Sequence, residues 1–558
     1  MKKIMVAFLV ILYVSSLCAV TTQVQSQDTN ETVYILSDGS IYSTTNSTVP
    51  IQKDGNVYTF TADLFVYTLV IQRNGITIDG AGFGLKGEGD IGIELTSVQD
   101  VTVKNVELTG RYYYGIYITE ASYNTITENT IKNTYTGIII YNSTQNTVAD
   151  NILEDNEFGI DLRVSTENLF RTNNLDNRYN IAIYGTELSH FINDMDDSNT
   201  IGGTKKVCYL VGEQNQVITP DTFGDIGFLA LVSCTNITVQ NVELSNNGQG
   251  IILAVTTGSK IVQSRITDNS NGVMLFASSN NVISGNTIKD NVRGIQLSMF
   301  SSVNSISLNN ITDNTGAMFL FNSSQNTISG NTLASNEYGI GFSASSYNLI
   351  MGNHFLNNEI QVYDSGTDDS TLGVSINTWH VTYPAGGNYW SDYAGIDVKT
   401  GSDQDENGSD GIGDTAYVIN SQNKDNYPLI IEGSFYVYIT SPENKTYTVN
   451  SVSLTYTASE TDAVVSYSLD GQATTTISAS KTLSDLSEGS HELTVFAQDT
   501  QGNEDSHTVY FTISEEADTP AETEDQTDDL PITLIVAVIA IVAVVGVALF
   551  YFMKMKNK

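Results

Sequence analysis

Glycine recurs at positions 92, 115, 137 and 159, and again at 227, 250, 272, 294, 316 and 339, with a spacing of 22 or 23 residues inside each block. Such a period dictates a repeat architecture before any other feature is considered. One unit, GIIIYNSTQNTVADNILEDNEF (137–158), holds short apolar runs with period-two alternation, broken by Asn, Asp or Gly. Runs of three to five residues are too short for useful helices and long enough for strands between tight turns. No proline interrupts either block. A unit with three such strands cannot bury its apolar residues alone. Stacking does so: each unit becomes one coil of a parallel β-helix, paired with the coils above and below. In the coil 137–158, Ile138, Ile140, Val148 and Ile152 are expected to point inward.

Asparagine keeps its own register. Asn124, Asn146, Asn168, Asn281 and Asn348 each follow a repeat glycine by nine residues. At a turn, Asn tolerates a left-handed backbone, and its amide can bond the same group one coil away, so these residues are read as structural ladders. The coils fall into blocks at about 71–201 and 224–362. The intervening TIGGTKKVCYLVGEQNQVITPDTFGDIG breaks the repeat near 202–226 and is expected to leave the stack. Cys208 and Cys234 flank this break, about one coil apart. Outside a cell they are expected to form a disulfide, two buried thiols being the alternative.

The ends of the chain indicate the compartment. Residues 1–26 open Met-Lys-Lys, continue through an apolar segment and reach small residues, the form of a signal peptide. Residues 530–552 carry no charge over a length sufficient to span a bilayer, and Lys554, Lys556 and Lys558 follow them. The positive-inside rule then places 553–558 in the cytoplasm and the preceding chain outside, as a single-pass cell-membrane protein. Between these ends come an N-terminal cap (27–70), the β-helix (71–362), an aromatic and Asp-rich C-terminal cap (363–432), an alternating segment (435–513) that reads as an immunoglobulin-like β-sandwich, and an acidic stalk (514–529). Asn30, Asn46, Asn142, Asn236, Asn310, Asn322, Asn407 and Asn444 open glycosylation sequons. A net charge of −39 argues strongly against nucleic acid or anionic lipid as a partner.

Three stretches carry a family resemblance. IQRNGITIDGAGFGLKG (71–87), the Asn-rich coils, and GGNYWSDYAGID, DGIGDTAYVIN and KDNYPLI within 386–430 resemble NosD-like right-handed parallel β-helix proteins, relatives of a wider carbohydrate-binding and sugar-hydrolase group. The sandwich and anchor look like those attached to such helices in archaeal surface proteins. The resemblance implies an all-β, right-handed parallel β-helix over about 33–431. It also implies copper, through the family's namesake in copper-site maturation. The residues give copper little support: His190, His354, His380, His491 and His507 are not paired at ligand spacing, and the methionines are scattered.

Four features are candidates for chemistry. DQDENGSDGIGD places Asp403, Asp405 and Asn407 at alternate positions, Gly408 next, and Asp414 at the twelfth, the pattern of a structural Ca²⁺ loop, with a solvated acidic turn as the alternative. Asp194, Asp196 and Asp197 cluster near Arg163, Arg171 and Arg178 and are the weak catalytic candidates for a lyase or glycosidase. Tyr112, Tyr113 and Tyr114 form one aromatic cluster. Tyr389, Trp390 and Tyr393 form another, read either as a sugar platform or as a plug closing the helix end. The expected role is carbohydrate recognition or envelope structure and adhesion at the cell surface, with a polysaccharide or surface glycan as partner. The alternatives are a carbohydrate-active enzyme and a copper-site maturation factor.

Overall fold

The computed structural model describes residues 31–514, apart from 369–370, 372, 431–436, 443–445, 459–462, 501 and 503. The leader expected at 1–26, the membrane span and tail expected at 530–558, and all but the first residue of the stalk lie outside the described residues. Among the described residues no helix is long and apolar enough to cross a membrane. The chain divides into two compact units, 1–434 and 435–558.

The first unit is a parallel β-solenoid. A representative coil contributes a long strand, Thr136–Tyr141, and two short ones, Thr147–Ala149 and Ile152–Glu154. Each strand pairs in parallel with its counterpart one coil away. Ile138 lies between Ile116 and Ile160, Val148 between Ile126 and Phe170, and Leu153 between Ile131 and Leu175. Ile138, Ile140 and Val148 are fully buried, as the alternation predicts. Ile152 is not: it is 40% exposed, and Leu153 takes the interior place. The cause is Asn151, whose side chain already occupies the inward position and makes the next residue on the strand point outward.

The asparagine ladders are more extensive than the single register the sequence suggests. Asn124, Asn146, Asn168 and Asn193 form one, Nδ2 of each donating to Oδ1 of the next at 2.9–3.1 Å. Asn129, Asn151, Asn173 and Asn199 form a second. The ladder residues are not the left-handed ones. The residue before each is: Tyr123, Gln145 and Glu167 have φ of 59°, 57° and 56°. That turn aims the following amide inward, where it bonds the neighbouring coils instead of water.

The repeat break is not an excursion. Thr200–Ile201 and Lys205–Val211 pair antiparallel across a turn in which Gly202 and Gly203 have φ of 59° and 74°, a backbone that glycine adopts without penalty. The sheet continues uninterrupted through this turn, 14 strands in all, but every later strand runs in the opposite direction. Reversing the strands while the stack keeps advancing would invert the winding, unless the interior moves to the other face of the sheet. The interior does move. Leu175 and Ile201 belong to the first core, whereas Cys208, Leu229, Leu231, Ile251 and Leu253 belong to a second. The alternate residues of those same strands, Val207, Phe228, Ala230, Val232, Ile252, Ala254, Met274 and Phe276, pack into the first core. This unit is thus two solenoids sharing one sheet, and the outer face of the second covers the end of the first. Phe191 meets Phe276 there with ring centroids 4.8 Å apart.

The disulfide expected between Cys208 and Cys234 is not formed; both are free and buried. Cys208 points into the second core on a strand where Leu229 is its neighbour, and Cys234 Sγ lies against the Leu210 and Val232 carbonyls. The far end of the second solenoid is closed by Trp390, 1% exposed, sandwiched between Phe355 (4.3 Å, 8°) and Tyr417 (4.2 Å, 11°). Its Nε1 donates to the buried carboxylate of Asp425.

The second unit is all β. A three-stranded sheet that includes Val437–Ser441 and Val452–Ala458 and a five-stranded sheet that includes Gly489–Gln498 and Glu504–Ile513 share one core, with Leu454, Leu493, Val495 and Phe511 at its centre.

Candidate functional site

Where the two solenoids meet, their outer faces form an inner corner. On the first solenoid the corner wall is built from long strands stacked at ~4.8 Å. Tyr114, Thr136, Phe158 and Tyr179 share one register across these strands. Tyr113 and Tyr135, one residue before this register, stack almost parallel (4.5 Å, 14°) and are 48% and 43% exposed. The rings continue through Phe158 (5.7 Å from Tyr135) to Tyr179 (5.0 Å further), over which the Arg178 guanidinium lies at 5.2 Å. Arg178 also bonds both oxygens of Glu157. An aromatic ladder thus climbs the wall towards the second solenoid.

At the top of the ladder the outward row Tyr117, Ile139, Asp161, Ala182 runs beside the row Thr119, Tyr141, Arg163, Tyr184. Arg163 grips Oδ2 of Asp161 with Nε and Nη2 at 2.9 and 2.7 Å. Asp161 is fully buried, its Oδ1 has no hydrogen-bond partner, and burial pushes its carboxyl up against the opposing pull of Arg163. Burial likewise pushes the Tyr184 hydroxyl up to about 12.

The second wall comes from the other solenoid. Gln249, Asn271, Arg293, Gly316 and Tyr338 form one row, and Gln296, Phe319, Gly341 and Tyr363 the next. Arg293 lies 5.9 Å over the Phe319 ring. That ring is flat against the strands because Gly316 and Gly341 leave it room; a Cβ at either would sit under 2.5 Å from its atoms. The walls join through hydrogen bonds from Asn180 N to the Asn246 carbonyl and from Ile183 N to Gln249 Oε1.

Of the residues picked out in the sequence, Tyr113 and Tyr114 lie on this wall. Tyr112 does not: it is buried, its hydroxyl donating to the Val66 carbonyl and accepting from Gly87 N. Asp194 and Asp196 lie outside the corner in ion pairs with Arg171, and Asp197 pairs with Lys206. Trp390 is inside the end plug, Tyr389 packs edge-on against His354, and the Tyr393 hydroxyl donates to the Thr415 carbonyl. Asn46, Asn142, Asn236, Asn310, Asn322 and Asn407 are exposed, whereas Asn30 and Asn444 lie outside the described residues. The sequence reading missed Asp161, Arg163, Tyr184, Arg293 and Phe319 as a group. Their signal was present in FGIDLR and VRGIQLS, charged or amide side chains on the outward positions of strands that are otherwise apolar.

In the expected Ca²⁺ loop the side chains accept from the protein's own donors or face solvent. Asp414 accepts from the Val398 and Lys399 backbone amides, Asn407 accepts from the Lys399 ammonium, and Asp403 and Asp405 are exposed. Among the described residues no three His, Cys, Asp or Glu side chains converge as metal ligands. Neither described thiol offers copper a thiolate. Copper needs thiolate, thioether or free imidazole, and burial holds the Cys208 thiol up at about 12 and raises that of Cys234.

Comparison with known proteins follows from this architecture. The sequence matches the family model described as periplasmic copper-binding protein (NosD) over residues 20–212 and 197–395. No curated protein sequence matches this one. Among solved structures, the A-module of the mannuronan C-5 epimerase AlgE6 from Azotobacter vinelandii is 14% identical, with 55% of this chain and 84% of that one covered and a TM-score of 0.20. An alginate lyase from Paenibacillus sp. str. FPU-7 is 13% identical over 53% and 90% of the two chains, TM-score 0.18. The tailspike protein of E. coli bacteriophage HK620, solved with a pentasaccharide, is 11% identical over 55% and 61%, TM-score 0.22. The two matches to the family model together span more than half of the sequence, and the chain belongs to the NosD family.

Proposed function

We propose that this protein binds a glycan chain along the inner corner between its two solenoids, presented outside the cell by a C-terminal membrane anchor and an immunoglobulin-like spacer. The observation that carries the reading is the Tyr113–Tyr135 stack, two half-exposed rings continued by Phe158 and Tyr179. The edges of stacked aromatic rings give the apolar faces of pyranose rings a surface to pack on, and such contacts remove apolar area from water without requiring charge. The ladder advances by ~4.8 Å per coil, a step comparable to one sugar unit of an extended polymer, so the exposed edges of Tyr113 and Tyr135 line successive sugars. Glu157, held by Arg178, supplies an acceptor beside the ladder for sugar hydroxyls. The walls are β-sheet held by buried asparagine ladders, so little conformational entropy is lost on binding.

The test is retention of the full chain on a panel of immobilised polysaccharides, comparing the natural protein with Tyr113→Ala/Tyr135→Ala. Retention that falls at least about tenfold in the double variant supports the reading, since at ~25 cal/mol per Å² the loss of about 60 Å² of buried apolar contact suffices. Equal retention of both proteins, or no retention of either on any polymer, would refute it.

A further inference from the structure

The corner contains a cation that no acidic side chain among the described residues neutralises. Two of the seven arginines in the sequence, Arg163 and Arg293, flank Tyr184 here, in a chain whose net charge is −39. Arg163 is engaged by Asp161 and Arg178 by Glu157. Among the described residues Arg293 forms no ion pair with an acidic side chain; it lies over the Phe319 face and feels the Tyr184 phenol electrostatically. Burial lowers its pKa, the mark of a guanidinium partly removed from water with no carboxylate in compensation.

The surroundings also lack partners. Gln249 and Asn271, the two rungs preceding Arg293 in the same row, have a buried Nε2 and a buried Oδ1 without a hydrogen bond, and so does Asp161 Oδ1 across the seam. Buried polar atoms in folded proteins are nearly all satisfied, so three orphans in one seam indicate groups that expect water or ligand. Phe319, fixed between Gly316 and Gly341, holds the guanidinium from one side and leaves its donor edge for another group.

We infer that the corner is selective for acidic polysaccharides, with Arg293 binding an anionic substituent of the sugar, carboxylate or sulfate, while the aromatic ladder carries the rest of the chain. This rests on the glycan-binding reading and adds the ligand class to it. The guanidinium presents a planar fork of donors that matches a two-oxygen anion. An anionic polymer is otherwise repelled by the acidic surface, so selectivity for it has to come from a local positive site.

The test uses the full chain and three probes: a polyuronate, the same polymer after carboxyl reduction, and a sulfated polysaccharide. The expected result is binding of the polyuronate or the sulfated polymer on the order of tenfold or more tighter than the reduced polymer. Arg293→Met should erase that preference while keeping binding to the reduced polymer, and Arg293→Lys should retain part of it. The retained binding shows that the Arg293→Met variant is folded. Equal affinity of the natural protein for charged and reduced polymers, or a preference that survives Arg293→Met, overturns the inference and leaves glycan binding standing. Absence of binding to all three probes overturns both.

Discussion

Asn309→Ala tests what holds the coils together. Asn309 is 1% exposed. Its Nδ2 donates to the Ile283 carbonyl and to Asn331 Oδ1 (both 2.9 Å), and its Oδ1 accepts from the Asn286 backbone N and Nδ2 at 3.0 and 2.9 Å. Truncation removes all four bonds, but not all four partners are stranded. Asn286 Nδ2 keeps the Ile261 carbonyl, and Asn331 Oδ1 keeps the Asn309 backbone N–H. The Asn286 N–H loses its bond and faces a dry interior, whereas the Ile283 carbonyl keeps its place in the strand ladder. At ~1–3 kcal/mol for a buried group left unsatisfied, the cost is about 1–3 kcal/mol. The neighbouring Asn310 is exposed, and Asn310→Ala should stay within ~0.5 kcal/mol. Urea unfolding followed by far-UV circular dichroism gives the two costs, and hydrogen exchange at Ile283 and Asn286 locates the damage. Because a solenoid need not unfold as one cooperative unit, exchange carries more weight than the midpoint. If Asn309→Ala costs no more than Asn310→Ala, the ladders are not what holds the stack.

Other consequences can be checked as directly. Phe191→Ala should destabilise the junction by ~3–5 kcal/mol, because the ring is 1% exposed and packs at a tilt against Phe276; a smaller loss in urea unfolding would mean that the second solenoid does not cap the first. Gly341→Ala should weaken glycan binding with a modest loss of stability, since the added Cβ displaces the Phe319 ring under Arg293; unchanged binding would show that the ring position is immaterial. Burial raises the Asp425 carboxyl above its ordinary range, so the folded cap holds that proton more tightly than the unfolded chain. The resulting stability is present below the ordinary carboxylate range and lost as pH rises through the raised value. Acidifying from neutrality should therefore stabilise the cap, and Asp425→Asn should flatten that slope in pH-dependent denaturation. Native Cys208 should react slowly with a thiol reagent at mildly alkaline pH and rapidly after unfolding, as a buried thiol held up at about 12 requires; fast native labelling would contradict it.

How much of this was legible in the sequence differs from feature to feature. The glycine period and the short alternating runs were sufficient for a parallel β-helix, because no other arrangement buries a 22-residue unit with three strands. The inward positions followed from alternation except at Ile152, where a polar residue, Asn151, claimed the interior. The reversal at Gly202–Gly203 was missed, although its mark is visible afterwards. IGFLALV (226–232) and GVMLF (272–276) are apolar at every position, and a strand apolar on both faces must be covered on both. The corner was the least legible part, since Asp161 and Arg293 are more than a hundred residues apart and the fold brings them together only because the interior changes sides. Tyr113 was picked out because three tyrosines adjoin; Tyr135, its stacking partner, sits alone in sequence.

The most direct measurement of the central claim is hydrogen exchange of the full chain with and without a bound polysaccharide. Binding in the inner corner predicts added protection in Arg111–Thr119, Thr136–Tyr141 and Phe158–Arg163 on one wall, and in Arg293–Ser298 and Gly316–Phe321 on the other. Protection confined to the end plug around Trp390, or to the unit beginning at residue 435, would place the ligand elsewhere and contradict the account.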